Sequence, residues 1–157
     1  MSQDRINGAR KLSQHYAYAS LQMHEAIARK AGLSGTDHKY LGFLIERGKM
    51  TAGELSQLTG LTTGAVTGLI DRFEKKKLVK RKYADEDRRK VFIEPNTANI
   101  MKLLEPLYRE FRRKSQELLA SFSDKEIKIL ERYFSESITI MNQTTEKFTR
   151  PVTKRIK

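Results

Sequence analysis

The stretch LSQLTGLTTGAVTGLIDRF, residues 55–73, decides the fold of this chain. Within it, Ser56, Gly60 and Val66 follow one another at intervals of four and six residues. Two helices that cross closely need a small residue at the crossing, a glycine in the short turn and an apolar side chain packed into the core. The stretch therefore predicts a helix-turn-helix whose second helix begins at Thr62 or Thr63.

The second helix of this motif has two different faces. Apolar residues at helical spacing form the face expected to be buried, namely Val66, Leu69, Ile70 and Phe73. The other face has small, weakly polar residues, namely Thr62, Thr63, Gly64, Ala65, Thr67 and Gly68. Two glycines on an exposed helix cost roughly 1 kcal/mol each relative to alanine. We therefore interpret this face as a surface that can approach a DNA groove closely, the alternative being a plain, weakly helical surface.

The residues that follow the motif change from helical to strand composition. Segments 78–83 and 89–93 are rich in β-formers and flank a polar turn, and Pro95 closes the pair. The pattern predicts a two-stranded hairpin directly after the helix-turn-helix. The whole is then a winged helix-turn-helix in a mainly α-helical chain.

The turn of this hairpin, YADEDRRK at residues 83–90, has acids within a basic run. Arg89 at the tip is expected to enter the minor groove, where negative potential is concentrated. Asp87 stands two residues before it and can hold the guanidinium through charge-assisted hydrogen bonds. The alternative is a solvated charged loop whose ion pairs contribute almost nothing. The other cations expected at the DNA are Arg72, Arg81, Lys82, Arg88 and Lys90.

Helical patterns account for the remainder of the chain. Helices are predicted at about residues 5–31, 36–47, 51–59, 62–77, 97–120 and 124–147, with capping boxes that begin at Thr51 and Ser123. Gly32, Gly48 and Gly60 are expected to end helices. The residues expected to face the interior from the first two helices are Leu12, Tyr16, Ala19, Met23, Ile27, Leu41, Phe43, Leu44 and Ile45.

Composition limits the classes of function. The chain has 157 residues, the size of one domain, and a formal net charge of +12, so polyanions accumulate around it. Its 38% hydrophobic content is lean, which hints at a core completed by a second copy. The absence of cysteine excludes disulfides and thiolate chemistry. We also expect no membrane span, a cytoplasmic location, no metal or cofactor, and no enzymatic activity, because His15, His24 and His38 form no metal-like cluster and no catalytic motif is present.

The segment from Thr51 to Pro95 resembles the winged helix-turn-helix of the multiple antibiotic resistance regulator (MarR) family. The resemblance rests on TAGEL, GLTTGAVT, LIDRFEK followed by LV, and an aspartate–x–arginine wing tip before an apolar strand. It implies a homodimeric, DNA-binding transcriptional regulator. The fourth helix would read the major groove through residues 62–68, and Arg89, paired with Asp87, would reach the minor groove.

The resemblance extends coarsely over residues 1–157 as one domain. It implies a DNA-binding part at 34–95 and helical dimerisation parts at 1–33 and 96–157. Many relatives bind small aromatic acids or other amphipathic effectors in a cleft between these parts. Tyr16, Tyr40 and Phe43 are the candidates for such a site, the alternative being ordinary core aromatics.

Two positions depart from the family pattern. Lys77 stands where a glycine is common before the first wing strand, and Gly68 stands where a longer polar side chain is common. The second departure shifts the weight of DNA recognition to the wing and to DNA shape. The sequence thus predicts a repressor on a pseudo-palindromic double-stranded DNA site, with a sequence-blind basic architectural protein as the alternative.

Overall fold

The structure, a computed structural model, describes residues 2–83 and 91–149. Within these residues, the six predicted helices and the two predicted strands follow one another in the predicted order. One short strand that was not predicted brings the number of strands to three. The elements are α1 (Gln3–Lys30), α2 (Gly35–Arg47), β1 (Met50–Thr51), α3 (Ala52–Thr59), α4 (Thr63–Lys75), β2 (Val79–Tyr83), β3 (Val91–Pro95), α5 (Thr97–Ala120) and α6 (Asp124–Thr149). The prediction of a mainly helical, winged helix-turn-helix fold is confirmed.

Local hydrogen bonds set the starts of the helices. The Thr51 hydroxyl accepts the Glu54 N–H at 3.2 Å, and the Glu54 carboxylate accepts the Thr51 N–H at 2.6 Å. Ser123 and Glu126 make the same reciprocal pair before α6, at 3.4 and 2.8 Å. Both predicted capping boxes are therefore present, and each satisfies amides that the first helical turn leaves without partners.

The ends of α1, α2 and α3 are followed by Gly32, Gly48 and Gly60, whose φ angles are 69°, 78° and 71°. A positive φ is easily adopted only by glycine, so these turns confirm the predicted helix ends. Lys77 has φ 57° without being a glycine.

Lys77 lies in a Schellman turn that ends α4. The Lys77 N–H donates to the Glu74 carbonyl at 2.8 Å, and the Leu78 N–H donates to the Phe73 carbonyl at 2.9 Å. This turn ends the helix at Lys75, slightly before the predicted end. It also directs the chain into β2.

The sheet has three antiparallel strands in the order β1-β3-β2. β2 and β3 pair from Val79↔Pro95 to Tyr83↔Val91, and Met50↔Ile93 begins the pairing of β1. The prediction of a two-stranded wing was therefore incomplete, because β1 covers the other edge of β3. A strand of two residues is too short to give an alternating pattern in the sequence.

One hydrophobic core joins α1 to α4, the sheet and the first half of α5. All four residues expected on the inner face of α4 are buried, as are Leu41 and Leu44 of α2. Ile45 is 39% exposed, so its predicted burial was wrong. Met23 and Ile27 pack against the core, whereas Leu12 is 69% exposed. Within this chain, only the C-terminal half of the apolar stripe of α1 packs against the core.

The chain divides into two compact units, Met1–Arg109 and Glu110–Lys157. The core belongs to the first unit. In the second, no described residue is buried. Its exposed large apolar side chains are Phe111, Leu118, Leu119, Phe122, Ile129, Tyr133, Phe134, Ile138, Ile140, Met141 and Phe148. Among the described residues, no helix is both long and apolar enough to span a membrane.

Candidate nucleic-acid interface

Side-chain hydrogen bonds stiffen the turn between α3 and α4. The Ser56 hydroxyl donates to the Leu61 carbonyl at 2.6 Å, which accounts for a small polar residue at this position. The Thr59 hydroxyl donates to the Leu55 carbonyl at 2.7 Å and accepts the Leu61 N–H at 3.3 Å. With Gly60 in the left-handed conformation, these bonds fix where α4 begins.

The N-terminal half of α4 presents the predicted contact face to solvent. Thr62 caps the helix by accepting the Ala65 N–H at 3.3 Å. The exposed members of the face are Thr62, Thr63, Gly64, Ala65 and Thr67, and Gly68 is half-exposed. All six predicted residues are thus at least partly exposed at the N-terminal end of α4.

The two glycines of this face are not required by the packing of the chain itself. A β-carbon built on Gly64 meets nothing within 4 Å, and one built on Gly68 meets only the Arg72 Nη1 atom, at 3.7 Å. Both residues also have ordinary helical backbone conformations, since neither has a positive φ. The fold would therefore accept alanine at either position, and packing within the described residues gives no reason for glycine.

Arg72, predicted to contact DNA, lies in an ion pair within the chain. Its Nε and Nη2 atoms donate to the two carboxylate oxygens of Asp37 at 3.1 and 2.7 Å. These hydrogen bonds raise the pKa of Arg72. Because Asp37 is on α2, the pair joins α4 to α2. In this arrangement the charge of Arg72 is already balanced.

Arg81 is held in a similar way at the root of the wing. Its Nη2 atom lies 2.6 Å from the Asp71 carboxylate, and its Nη1 atom pairs with Glu74. The Arg81 backbone N–H also donates to Glu74, at 3.0 Å. Hydrogen bonding to Asp71 is the main cause that raises the pKa of Arg81. This half-buried cluster ties β2 to α4.

Lys82 remains on the exposed side of β2, where it shares one acid with a neighbour. The Nζ atoms of Lys82 and Lys80 lie 2.8 and 3.3 Å from one oxygen of Glu94 on β3. Hydrogen bonding to Lys82, ahead of Lys80, lowers the pKa of Glu94. Two cations on one carboxylate leave this strand pair with excess positive charge. The predicted wing-tip residues Asp87, Arg88, Arg89 and Lys90 lie outside the described residues.

The aromatic residues predicted for an effector site are not gathered around one cavity. Tyr16 is 65% exposed, whereas Tyr40 is buried with its ring centroid 6.3 Å from that of Phe43. A cavity of about 320 Å³ does lie between α1 and α2. Its lining residues are Leu21, His24, Glu25, Gly35, Thr36, His38, Lys39 and Gly42. Tyr16, Tyr40 and Phe43 are not among them.

Two of these lining residues belong to a cluster with Tyr108 of α5. The Tyr108 hydroxyl is hydrogen-bonded to Nδ1 of His24 and lies 3.0 Å from Nε2 of His38. The two imidazole centroids are 5.5 Å apart. Burial, and secondarily the charge of His24, lower the pKa of His38. Sequence analysis missed this cluster because its members are 70 and 84 positions apart along the chain.

Comparison with known proteins agrees with this geometry. A sequence model described as the MarR family matches residues 31–90. YcgE of Bacillus subtilis (strain 168), an uncharacterized HTH-type transcriptional regulator, is 38% identical over 124 residues, which are 79% of this chain and 80% of YcgE. The chain belongs to the MarR family. A MarR family protein of Bacillus stearothermophilus has a similar structure, with 27% identity, a TM-score of 0.69, and coverage of 90% of this chain and 99% of that one.

A further MarR-type fold comes from a protein solved with DNA. A mutant of Staphylococcus aureus MepR, bound to an oligodeoxyribonucleotide, matches with 20% identity and a TM-score of 0.58, over 85% of this chain and 97% of that one. As a MarR-family member, the chain is a DNA-binding HTH-type transcriptional regulator and not an enzyme.

Proposed function

We propose that this MarR-family chain is a homodimeric repressor that reads a pseudo-palindromic operator. The observation on which this rests is the exposed face of α4, where Gly64 and Gly68 have no packing reason to be glycine. Glycine lets a helix backbone come within contact distance of a groove, which a larger side chain would prevent. The net charge of +12 supplies the general attraction to DNA.

In this proposal, each half-site is contacted in two places. The N-terminal half of α4 enters the major groove, where Thr63 and Thr67 lie close to the base edges. Arg89, aimed by Asp87, enters the adjoining minor groove. The ion pairs of Arg72 and Arg81 also hold α4 and β2 in place, and the contact of these two residues with DNA stays a prediction.

A second copy of the chain is proposed to cover the apolar side chains of α5 and α6. Residues 110–149 contain eleven exposed large apolar side chains and bury none of them. Exposed apolar surface of this extent marks an interface in a protein that stays in solution. A two-fold dimer would set its two recognition helices about one helical turn of DNA apart, roughly 34–36 Å.

The cavity between α1 and α2 is proposed to take a small amphipathic or aromatic effector. Its volume of about 320 Å³ is at the lower end of the range for small-molecule sites. His24, His38 and Lys39 offer donors on its wall, which also contains the polar residues Glu25 and Thr36. An effector would relieve repression only as far as it prefers a state with misaligned recognition helices.

Selection from a random double-stranded DNA pool at near-physiological salt tests the proposal. An operator reader should enrich an inverted repeat with half-sites one helical turn apart, and bind it about 10³-fold or more tightly than random DNA. Failure to enrich any motif, with binding that disappears as salt rises, would favour the alternative of a sequence-blind architectural protein.

The variant Arg89→Ala tests the wing. We expect it to fold normally and to lose about 1–3 kcal/mol of operator binding, because one groove contact is removed. Lys128→Ala is a matched control, since it removes one exposed positive charge from α6. Fluorescence anisotropy on the selected operator measures both. Equal affinity in the two variants would remove Arg89 from the site.

A further inference from the structure

We propose that His24, Tyr108 and His38 form a proton-sensitive joint, whose protonation displaces α2 and with it the recognition helix, so that operator binding weakens in acid. The movement of α2 and α4 is a property of the free protein. Its effect on the operator rests on the proposed function.

The joint connects three helices of the first unit through one hydroxyl group. His24 is on α1, His38 on α2 and Tyr108 on α5, and both imidazoles are hydrogen-bonded to the tyrosine oxygen. Both hydrogen bonds are partly buried. Water therefore substitutes poorly for a bond that is lost here.

The hydrogen-bond pattern suits two neutral imidazoles. The tyrosine hydroxyl has one proton, so it can donate to one ring and accept from the other. When the accepting ring is protonated, both rings become donors and the tyrosine proton loses its histidine acceptor. When both rings are protonated, two positive charges lie with their centroids only 5.5 Å apart. Protonation therefore works against the joint in either tautomeric arrangement.

Two further charged residues line the cavity beside the joint. Glu25 of α1 and Lys39 of α2 line the same cavity as the two histidines. The Glu25 carboxylate favours the imidazolium form, and the Lys39 ammonium group opposes it. Burial is the largest influence on His38 and favours the neutral ring.

α2 transmits the change to the recognition helix through two consecutive residues. His38 faces the joint, while Asp37 makes the bidentate pair with Arg72 of α4. A displacement of α2 that accompanies the breaking of the His38 contact also moves the Asp37 carboxylate. The Arg72 guanidinium follows it, because two hydrogen bonds in one plane tolerate little change of angle.

The direction of the pH dependence follows from the His38 pKa. Its folded-state pKa lies below the ordinary value of 6.5. The neutral joint therefore contributes its full stability above pH 6.5, and this contribution is lost as the pH falls through the folded-state pKa. Added positive charge alone would strengthen DNA binding in acid. A weakening of operator binding is consequently the distinctive sign of the joint.

The test compares wild type with the double variant His24→Gln and His38→Gln, and with the control His15→Gln. His15 is exposed on α1 and outside the joint. Between about pH 7.5 and about pH 5.5, operator affinity of the wild type and of the control should fall by about fivefold or more. The double variant should keep or increase its affinity. Proton–nitrogen NMR should show Asp37 and Arg72 resonances moving with the titration in the wild type and in the control, but not in the double variant.

Two results would overturn the proposal. One is an operator affinity that rises or stays constant in acid for the wild type. The other is an absence of pH-dependent shifts at Asp37 and Arg72 over the pH range in which the His38 ring becomes protonated. If the chain binds no specific operator, the NMR titration and the pH dependence of the urea midpoint still decide whether the joint moves α2 and α4. Failure of the joint and failure of the repressor assignment are thus separable.

Discussion

Among the described residues, Lys77 is the one non-glycine residue with a positive φ angle. Its φ of 57° lies in the left-handed region, where a β-carbon crowds the following carbonyl group. The turn is nevertheless kept, because the Lys77 carbonyl accepts the Asn99 amide at 2.9 Å and the Schellman bonds close the end of α4. The sequence departure at this position therefore costs stability and does not change the path of the chain.

The substitution Lys77→Gly should stabilise the protein. Relief of the left-handed strain is worth about 1–2 kcal/mol, and the greater freedom of glycine in the unfolded chain offsets about half of it. We expect the free energy of unfolding in urea to rise by about 0.5–1 kcal/mol. The control Lys75→Gly, inside the last turn of α4, should lower it by about 1 kcal/mol. If both variants are destabilised equally, the turn at Lys77 is not strained.

Single residues show which contacts a sequence can reveal. The capping pairs that begin at Thr51 and Ser123 were predicted because both partners lie within four positions. The ion pair of Arg72 could not be predicted, since its partner is 35 positions away and any of several acids would satisfy it. Sequence analysis placed Arg72 among the cations expected at the DNA, and its ion pair with Asp37 leaves that expectation untested.

At the level of elements, regular periodicity made the six helices predictable. β1 was missed because Met50 and Thr51 are only two residues, and Thr51 also reads as a helix cap. The sheet edge that β1 covers depends on a pairing with β3, 41 to 43 positions later. Such a pairing is specified by the whole core and leaves no local pattern.

The exposed face of α4 contains glycine residues, which have a low helix propensity. Gly68 lies in the middle of the helix, where glycine is disfavoured by about 1 kcal/mol relative to alanine. Within the chain, a β-carbon there would make an ordinary contact with Arg72 at 3.7 Å. The helix thus gives up stability on the surface proposed to enter the groove.

The variant Gly68→Ala should separate stability from binding. We expect its free energy of unfolding to rise by about 1 kcal/mol, and its operator affinity to fall, because a methyl group enters the space left for DNA. Gly8→Ala is the control, as Gly8 is also an exposed helical glycine with nothing within 4 Å of a β-carbon. It should gain stability without losing affinity. A Gly68→Ala protein with full affinity would mean that the backbone does not approach DNA at this turn.

At the scale of the whole molecule, apolar surface is distributed unevenly. The first unit has a buried core around Phe73 and Leu41 and also exposes apolar residues such as Leu12, whereas the described part of the second unit buries none. The hydrophobic residues, 38% of the chain, are thus divided between one buried core and an apolar region that this chain leaves uncovered. A second copy would cover this region on both chains at once, as two-fold interfaces do.

The variant Met141→Lys tests that interface. Met141 is 60% exposed on the apolar face of α6, and lysine preserves helix propensity while placing a charge where burial is proposed. Each two-fold dimer would lose two buried side chains, about 3 kcal/mol or more together, so dissociation should become at least about 100-fold easier. Sedimentation velocity over a range of protein concentrations measures this change.

Ser135→Lys adds the same charge to an exposed, polar position of the same helix. It should leave the dimer intact and bind the operator as wild type does. Met141→Lys should sediment as a monomer and bind single half-sites weakly, because half-sites one turn apart are contacted together only when two recognition helices are joined. If the two variants sediment alike, the apolar face of α6 is not the dimer interface, and the pseudo-palindromic operator loses its structural basis.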